Sequence, residues 1–334
     1  MPNIITHYTF AKDKILDPSA KFIKATYLGA QGPDPFFYYG VISKFHRPNY
    51  QDVNSLGGLT QHMELTEPYV AMIEYAMKSS DKELLLSYID GLFMHYSLDR
   101  LVHPFVFYNT GFTDREQDSK EIQHHYNFGH MYFENILDFI VGKKEGTFRR
   151  ADAYLKLDNR SLLKISEMWE FVNRQVQHVP NIETNSFYLS VKDFRKTMRI
   201  AYSPLGIKKA LFKVIFGKEG FAYGICSLRN LHRFEGIDFL NEKHAKWYMP
   251  SGNEKTDSFY DLYENAGALY RSLHACLKKA SNGYNEKKDI ALIGAGINHE
   301  GIIPNSPKIY WKLIWPESFL KDVIEHPFSP KERK

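Results

Sequence analysis

Residues 80–107 constrain this chain more than any other stretch. Leu84, Leu85, Tyr88, Leu92, Phe93 and Tyr96 recur with a period near 3.6, the mark of a helix packed into a core. Into that apolar sequence are set His95, Asp99 and His103, spaced four residues apart. A helix turns about 100° per residue, so the three side chains stand one above another on a single face. His130 and Glu134 repeat the spacing beside Phe133, Ile136, Leu137 and Ile140. Imidazoles and carboxylates on half-buried faces need partners, and a cation of the zinc type supplies them.

The ladder is too long for one ion. At a rise of about 1.5 Å per residue, His95 and His103 lie roughly 12 Å apart along the axis. Zinc holds imidazole nitrogen at about 2.0–2.1 Å, so the two histidines would serve different ions, with Asp99 between them able to ligate or bridge. Bridged metals are the usual device of multi-metal phosphoester hydrolysis. Further ligands must come from elsewhere: His7, Asp34 between Pro33 and Pro35, and His62 beyond Gly57-Gly58. Bland readings stand beside each. A His-x3-Glu pair is often only a helix-surface ion pair, and Glu121 with His125 shows the spacing in a polar segment. An Asp between prolines is ordinary turn chemistry. The third rung, the second pair and the apolar setting favour metal.

Composition narrows the rest. A chain of 334 residues can bury a core as one large domain or two modest ones. A net charge of +4 gives no case for nucleic acid as first partner. Cys226 and Cys276 are the only cysteines, neither in a CxxC pair, so no disulfide framework and no thiolate ligation are expected. Met1 to His7 lacks a basic flank followed by an apolar run, and no apolar window approaches the ~20 residues of a membrane span. The expectation is a soluble, cytoplasmic protein.

Helical periodicity recurs over His130–Ile140, Leu162–Val176, Val191–Tyr202 and Phe259–Leu277, and strand signals are sparse. Gly57-Gly58, Pro104, Gly111, Pro180 and Pro204 read as breakers. The expected fold is an all-α bundle. Eight of the 14 histidines precede residue 131, which puts the chemistry in residues 1–142. Residues 143–334 would be a helical extension packed on that core, joined at Lys143–Gly146, unless the two are one continuous domain. Leu205 to Phe216 sets Lys208, Lys209 and Lys213 against Ile207, Leu211, Val214 and Ile215. That is an ordinary amphipathic helix with solvated lysines, or one making peripheral contact with an anionic membrane.

Several motifs in order resemble the zinc-dependent phospholipase C family. They are Thr6-His7-Tyr8, Leu28-Gly29-Ala30-Gln31-Gly32-Pro33-Asp34-Pro35-Phe36-Phe37-Tyr38, His95-Tyr96-x2-Asp99-x3-His103-Pro104 and His130-x3-Glu134. Asp238-Phe239-Leu240-Asn241-x2-His244-x2-Trp247 and Ser258-Phe259-x2-Leu262-Tyr263 are similar to the C-terminal part of some members. The resemblance implies an all-α fold around two or three zinc ions. His62, Asp34, His95 and Asp99 would hold one, and His103, His130 and Glu134 a second. His7 and Asp99 would hold a third with the N-terminal amine of Pro2, were Met1 removed. Asp34 would be the general base, and a phospholipid or other phosphodiester the substrate. The same scaffold also implies two alternatives, a three-zinc nuclease and an inositol-lipid anchor phospholipase D-like activity. A non-catalytic metal-binding or scaffold protein is a further one. The chain departs from the secreted members in bringing Asp99 and His103 closer together, and His46 could stand in for His62.

Overall fold

Helix α5 (Lys82–Thr110) is buried on nearly every side from Leu84 to Tyr108, and the other elements are arranged about it. The computed structural model describes residues 4–42, 47–111, 118–147, 151–179, 182–217, 220–228, 231, 236–284 and 287–310, with the backbone alone for Glu121 and His125. The architecture is all-α. Before α5 come α1 (Ile4–Lys14), α2 (Ile23–Gly29), α3 (Tyr50–His62) and α4 (Thr66–Lys78). After it come α6 (Lys120–Lys144), α7 (Asn159–Gln175), α8 (Ser186–Ala201), α9 (Ile207–Phe216) and α10 (Phe221–Gly224), then α11 (Phe259–Ser281) and α12 (Lys287–Gly294). One short ribbon pairs β1 (Trp247–Tyr248) with β2 (Glu254–Lys255), antiparallel. Among the described residues no helix is long and apolar enough to cross a membrane.

Small residues let α2 approach α5 closely. A Cβ on Gly29 would lie 2.1 Å from the Tyr88 carbonyl oxygen, and one on Gly91 2.1 Å from that of Thr26. Any larger residue would force the helices apart, and with them the Asp34 turn that follows α2. On the other side α11 lies along α5. Its start is fixed by a capping box between Ser258 and Asp261. Tyr270 and His274 on α11 both bond Asp90 on α5, at 3.0 and 2.6 Å. One apolar cluster runs from Ile4 to Ile302, and residues on both sides of Lys143–Gly146 belong to it. That expected joint is the end of α6 and the turn after it.

Two expected breakers do not break. Gly57 and Gly58 lie inside α3 and Pro104 inside α5. Gly57 is in contact range of the Phe37 ring, where a side chain would clash, so its lost helix propensity is offset by packing. Pro104 has no N–H to give the Arg100 carbonyl. That carbonyl meets Gly301 instead, where a Cβ would sit 2.4 Å away. The close approach brings a C-terminal loop against the middle of α5.

Candidate metal centre

Three elements bring the first group of ligands together. Helix α1 enters with Ile5 N, Thr6 N and Thr6 Oγ1 all donating to the buried Asp138 carboxylate of α6, at 3.0, 2.8 and 2.6 Å. This anchor occupies donors that a helix start leaves unpaired and points His7 inward. Asp34 opens a 3-10 turn (Asp34–Tyr38) just after Gly32, which has φ +55. A Cβ on Gly32 would lie 2.1 Å from the His95 ring, so only glycine lets this turn close over the imidazole. Farther along, Asp193 of α8 receives Gly40 N at 2.8 Å and both Nε and Nη2 of Arg47, tying down the chain beyond the turn. As a result His7, Asp34 and His95 each offer a ligand atom within 4.8 Å of the others.

Asp99 lies beneath them. Its Oδ1 is 3.1 Å from His7 Nε2 and its Oδ2 is 3.0 Å from His95 Nε2. None of these four atoms makes an aligned hydrogen bond, although all are sealed from water and each nitrogen faces a carboxylate oxygen. Two donors bound at about 2.0 Å to a tetrahedral ion stand about 3.3 Å apart, close to the spacing found here. His95 Nδ1 donates to the Ala30 carbonyl at 3.2 Å, leaving Nε2 as a lone-pair donor. That carbonyl–imidazole arrangement is how ligating histidines are usually oriented. The donor set fits a zinc-type cation.

The second group is His103, His130 and Glu134, again within 4.8 Å of one another. His103 comes from α5 and the other two from α6 (Lys120–Lys144), whose start is capped by the Ser119 side chain. Glu134 Oε1 lies 2.7 Å from His130 Nε2 and 3.9 Å from His103 Nε2. His103 Nδ1 donates to the His299 carbonyl at 2.7 Å, which points Nε2 toward the carboxylate. Asp99 Oδ2 comes to 4.0 Å from His103 Nδ1. His95 and His103 therefore belong to different groups on one helix.

His62 does not join the first group. Its half-exposed ring holds the Gly58 carbonyl through Nδ1 and faces Glu300 Oε1 through Nε2 at 3.3 Å. The neighbouring Gln61 takes the inward position, and its Nε2 donates to Asp34 Oδ1 at 3.1 Å. One residue along a helix is a turn of about 100°, enough to exchange an inward side chain for a rim one. His46, the N-terminal amine and the side chains of Glu121 and His125 lie outside the described residues.

The loop from Asn298 to Ile302 contributes what the sequence did not announce. Asn298 Oδ1 accepts from Glu300 N and Ile302 N, both at 3.0 Å, and closes the loop on itself. His299 N donates to the Gln61 carbonyl, and its Nε2 lies 3.0 Å from the Tyr69 hydroxyl. Glu300 then joins Asp34, Gln61, His103, His130 and Glu134 in lining one cleft of about 620 Å3. Phe37, Tyr38, Phe107, Phe128, Phe194 and Phe221 give that cleft an aromatic wall. Gly301, at φ +71 against Pro104, was the one available signal of a close-packed loop.

Burial and mutual charge set the protonation states. Burial pushes His7 down to about 4 and His103 and His299 down to about 3. Burial also pushes Asp34 up to about 8. Asp99 would rise with burial too, but His95, His103 and His7 hold it well below the usual carboxylate range. His95 is raised, because Asp99 and Asp34 outweigh its burial. Burial thus keeps His7 and His103 neutral beside a charged Asp99, as ligation requires, whereas His95 holds its proton more tightly in the metal-free chain and would release it on binding a cation. Comparison with known proteins gives no match of any kind: no family model, no curated protein and no solved structure.

Proposed function

We propose that this protein is a zinc-dependent phosphodiester hydrolase that cleaves a phospholipid in the manner of a phospholipase C. The observation that carries the reading is two histidine–carboxylate groups built at successive turns of α5 and completed from α1, the Asp34 turn and α6, with Asp34, His103, His130 and Glu134 opening into one cleft. His7, Asp34, His95 and Asp99 would hold one ion, and His103, His130 and Glu134 another. Ions held there supply Lewis acidity toward phosphoryl oxygens and water acidic enough to react at neutral pH.

The chain's own groups divide the remaining work. Asp34 lines the cleft and would act as proton acceptor once a bound cation offset the burial that pushes its carboxyl up to about 8. Gln61 Nε2 holds its Oδ1, fixing which way the carboxyl faces. The His299 carbonyl keeps His103 in the tautomer that leaves Nε2 available. The aromatic wall excludes bulk water and suits the apolar part of a lipid. The volume falls in the range of about 300–1,000 Å3 typical of small-ligand sites.

Elemental analysis of freshly purified protein should find about two zinc ions per chain, with a third allowed by the terminal amine. The zinc-loaded protein should hydrolyse a chromogenic choline phosphodiester and phosphatidylcholine, and chelation should abolish both. Preferential cleavage of single-stranded DNA would move the reading to a nuclease. Tightly held metal with no turnover of any phosphodiester would make the centre structural and defeat the proposal.

A further inference from the structure

We infer that α9 is a docking element for an anionic lipid bilayer, set beside the mouth of the cleft. Ile207, Leu211, Val214 and Ile215 share one face of this helix, following the i, i+4, i+7, i+8 pattern. In an ordinary amphipathic helix that face would be packed against the body. Here it points the other way. Ile207 is 69 % exposed, Leu211 53 %, Val214 84 % and Ile215 58 %, and α9 has no buried residue. The opposite side holds the helix to the protein. Phe212 packs on the core, and Lys209 Nζ lies over the Tyr132 and Tyr223 rings at 4.7 and 5.0 Å. Ser203 Oγ accepts from the N–H groups of Lys208 and Lys209, fixing where the helix starts.

Charge selects the occupant. Ile207–Phe216 carries Lys208, Lys209 and Lys213 and no acidic residue. Lys208 borders the apolar face at a helix angle that would place it at headgroup level when the face is immersed, and Lys209 and Lys213 stand farther round the helix. A second copy of the chain docked by the same face would bring these lysines together across a two-fold axis, which is unfavourable. An anionic bilayer meets both the apolar stripe and its cationic margin. At ten residues the helix is about 15 Å long, suited to lying in the interface rather than crossing it.

The apolar surface also runs toward the cleft. Exposed Leu205 precedes α9, and exposed Phe216 ends it beside Gly220, where a Cβ would lie 2.8 Å from Phe216 Cβ. Phe221 follows, 42 % exposed, and lines the cleft with its ring centroid 6.0 Å from that of Tyr38. Docking through α9 would thus present the cleft mouth to the lipid surface. This last consequence rests on the phospholipase reading; the docking itself does not.

The test is flotation of the full chain with vesicles of phosphatidylcholine alone or mixed with phosphatidylglycerol, in EDTA so that turnover plays no part. Wild type should float with the mixed vesicles, and Leu211→Glu/Val214→Glu should lose at least about tenfold in partitioning. Lys208→Glu, which reverses the charge at the margin of the face, should lose roughly thirtyfold on mixed vesicles and little on phosphatidylcholine. The Leu211/Val214 variant should keep its melting temperature and its rate on a soluble chromogenic phosphodiester. Binding without hydrolysis of any phosphodiester would leave docking intact while ending the enzymatic reading. Three results would overturn the inference: wild type that ignores anionic vesicles, a Leu211/Val214 variant that binds as wild type does, or a wild-type dimer that this variant dissolves.

Discussion

Beneath the Asp34 turn, nitrogens of His7 and His95 face both oxygens of Asp99, sealed from water without aligned hydrogen bonds. On α9 the reverse holds, and Ile207, Leu211, Val214 and Ile215 are each more than half exposed among the described residues. Asp138 and α7 keep the ordinary rule that these two regions break. Asp138 is as deeply buried as Asp99, yet it receives three hydrogen bonds from the start of α1. Helix α7 is as amphipathic as α9, yet it turns Leu162, Ile165, Met168, Trp169 and Val172 into the core. Unpaired buried polar atoms cost about 1–3 kcal/mol each, and exposed apolar side chains forgo about 1.5–3 kcal/mol of burial. Two such departures, joined by a cleft, are more economically explained by two ligands than by poor folding.

The largest effect should come from Asp99→Asn. In zinc-loaded protein it should lower phosphodiester turnover at least about a hundredfold and reduce metal content, as followed by initial rates and elemental analysis. Metal-free protein should lose only the share of stability that attraction between the Asp99 charge and His95, His103 and His7 supplies. A loss of several kcal/mol in the metal-free state would break the comparison, because Asp99 would then be a structural ion-pair partner like Asp193.

Gly32→Ala tests how tightly the turn must close. The new Cβ would fall 2.1 Å from the His95 ring at a backbone angle L residues avoid. A loss of about 2–3 kcal/mol in urea denaturation is expected, with His95 displaced and metal affinity reduced. Unchanged stability and unchanged affinity would mean that the turn and imidazole have room to part.

How much of this was legible in the sequence varies with how local each cause is. The α5 ladder and the His130–Glu134 pair could be read because a helix fixes relative direction within a few residues. Asp34 was marked by its prolines. Choosing His62 over Gln61 went by ligand chemistry, whereas the phase of the last turn of α3 decides which side chain points inward. His299 acts on His103 through a backbone carbonyl, which any residue carries and no motif can announce. Glu300 is far along the chain from the other acids, and the seating of its loop on α5 and α3 brings it near. For α9 the period showed an apolar face but not its direction, because the pattern is the same whether that face meets the core or the solvent.

Asp138 sharpens the contrast through pH. Burial pushes its carboxyl up to about 7 despite its three donors, against an ordinary value of 3.8. Between those values the folded chain holds a proton that the unfolded chain has released. Its contribution to stability is therefore complete below about 3.8 and lost as pH rises toward 7. Relative to Asp138→Asn, wild type should lose up to about 1.4 kcal/mol per pH unit across that window, measured by urea denaturation. A flat difference would show that the three donors keep Asp138 ionised throughout.

The smallest effect is the one that isolates α9. Leu92 is fully buried on α5, and Leu92→Ala should cost about 2–5 kcal/mol. Val214→Ser and Ile207→Ser remove comparable apolar groups, yet each should change stability by no more than about 0.5 kcal/mol, because little of either is shielded from water. Thermal and urea unfolding in the absence of lipid give the comparison directly. If either serine variant lost 2 kcal/mol or more, the face would be packed in solution against part of the protein or a second copy. In that case α9 would obey the same rule as α7, and the exposed half of the contrast would disappear.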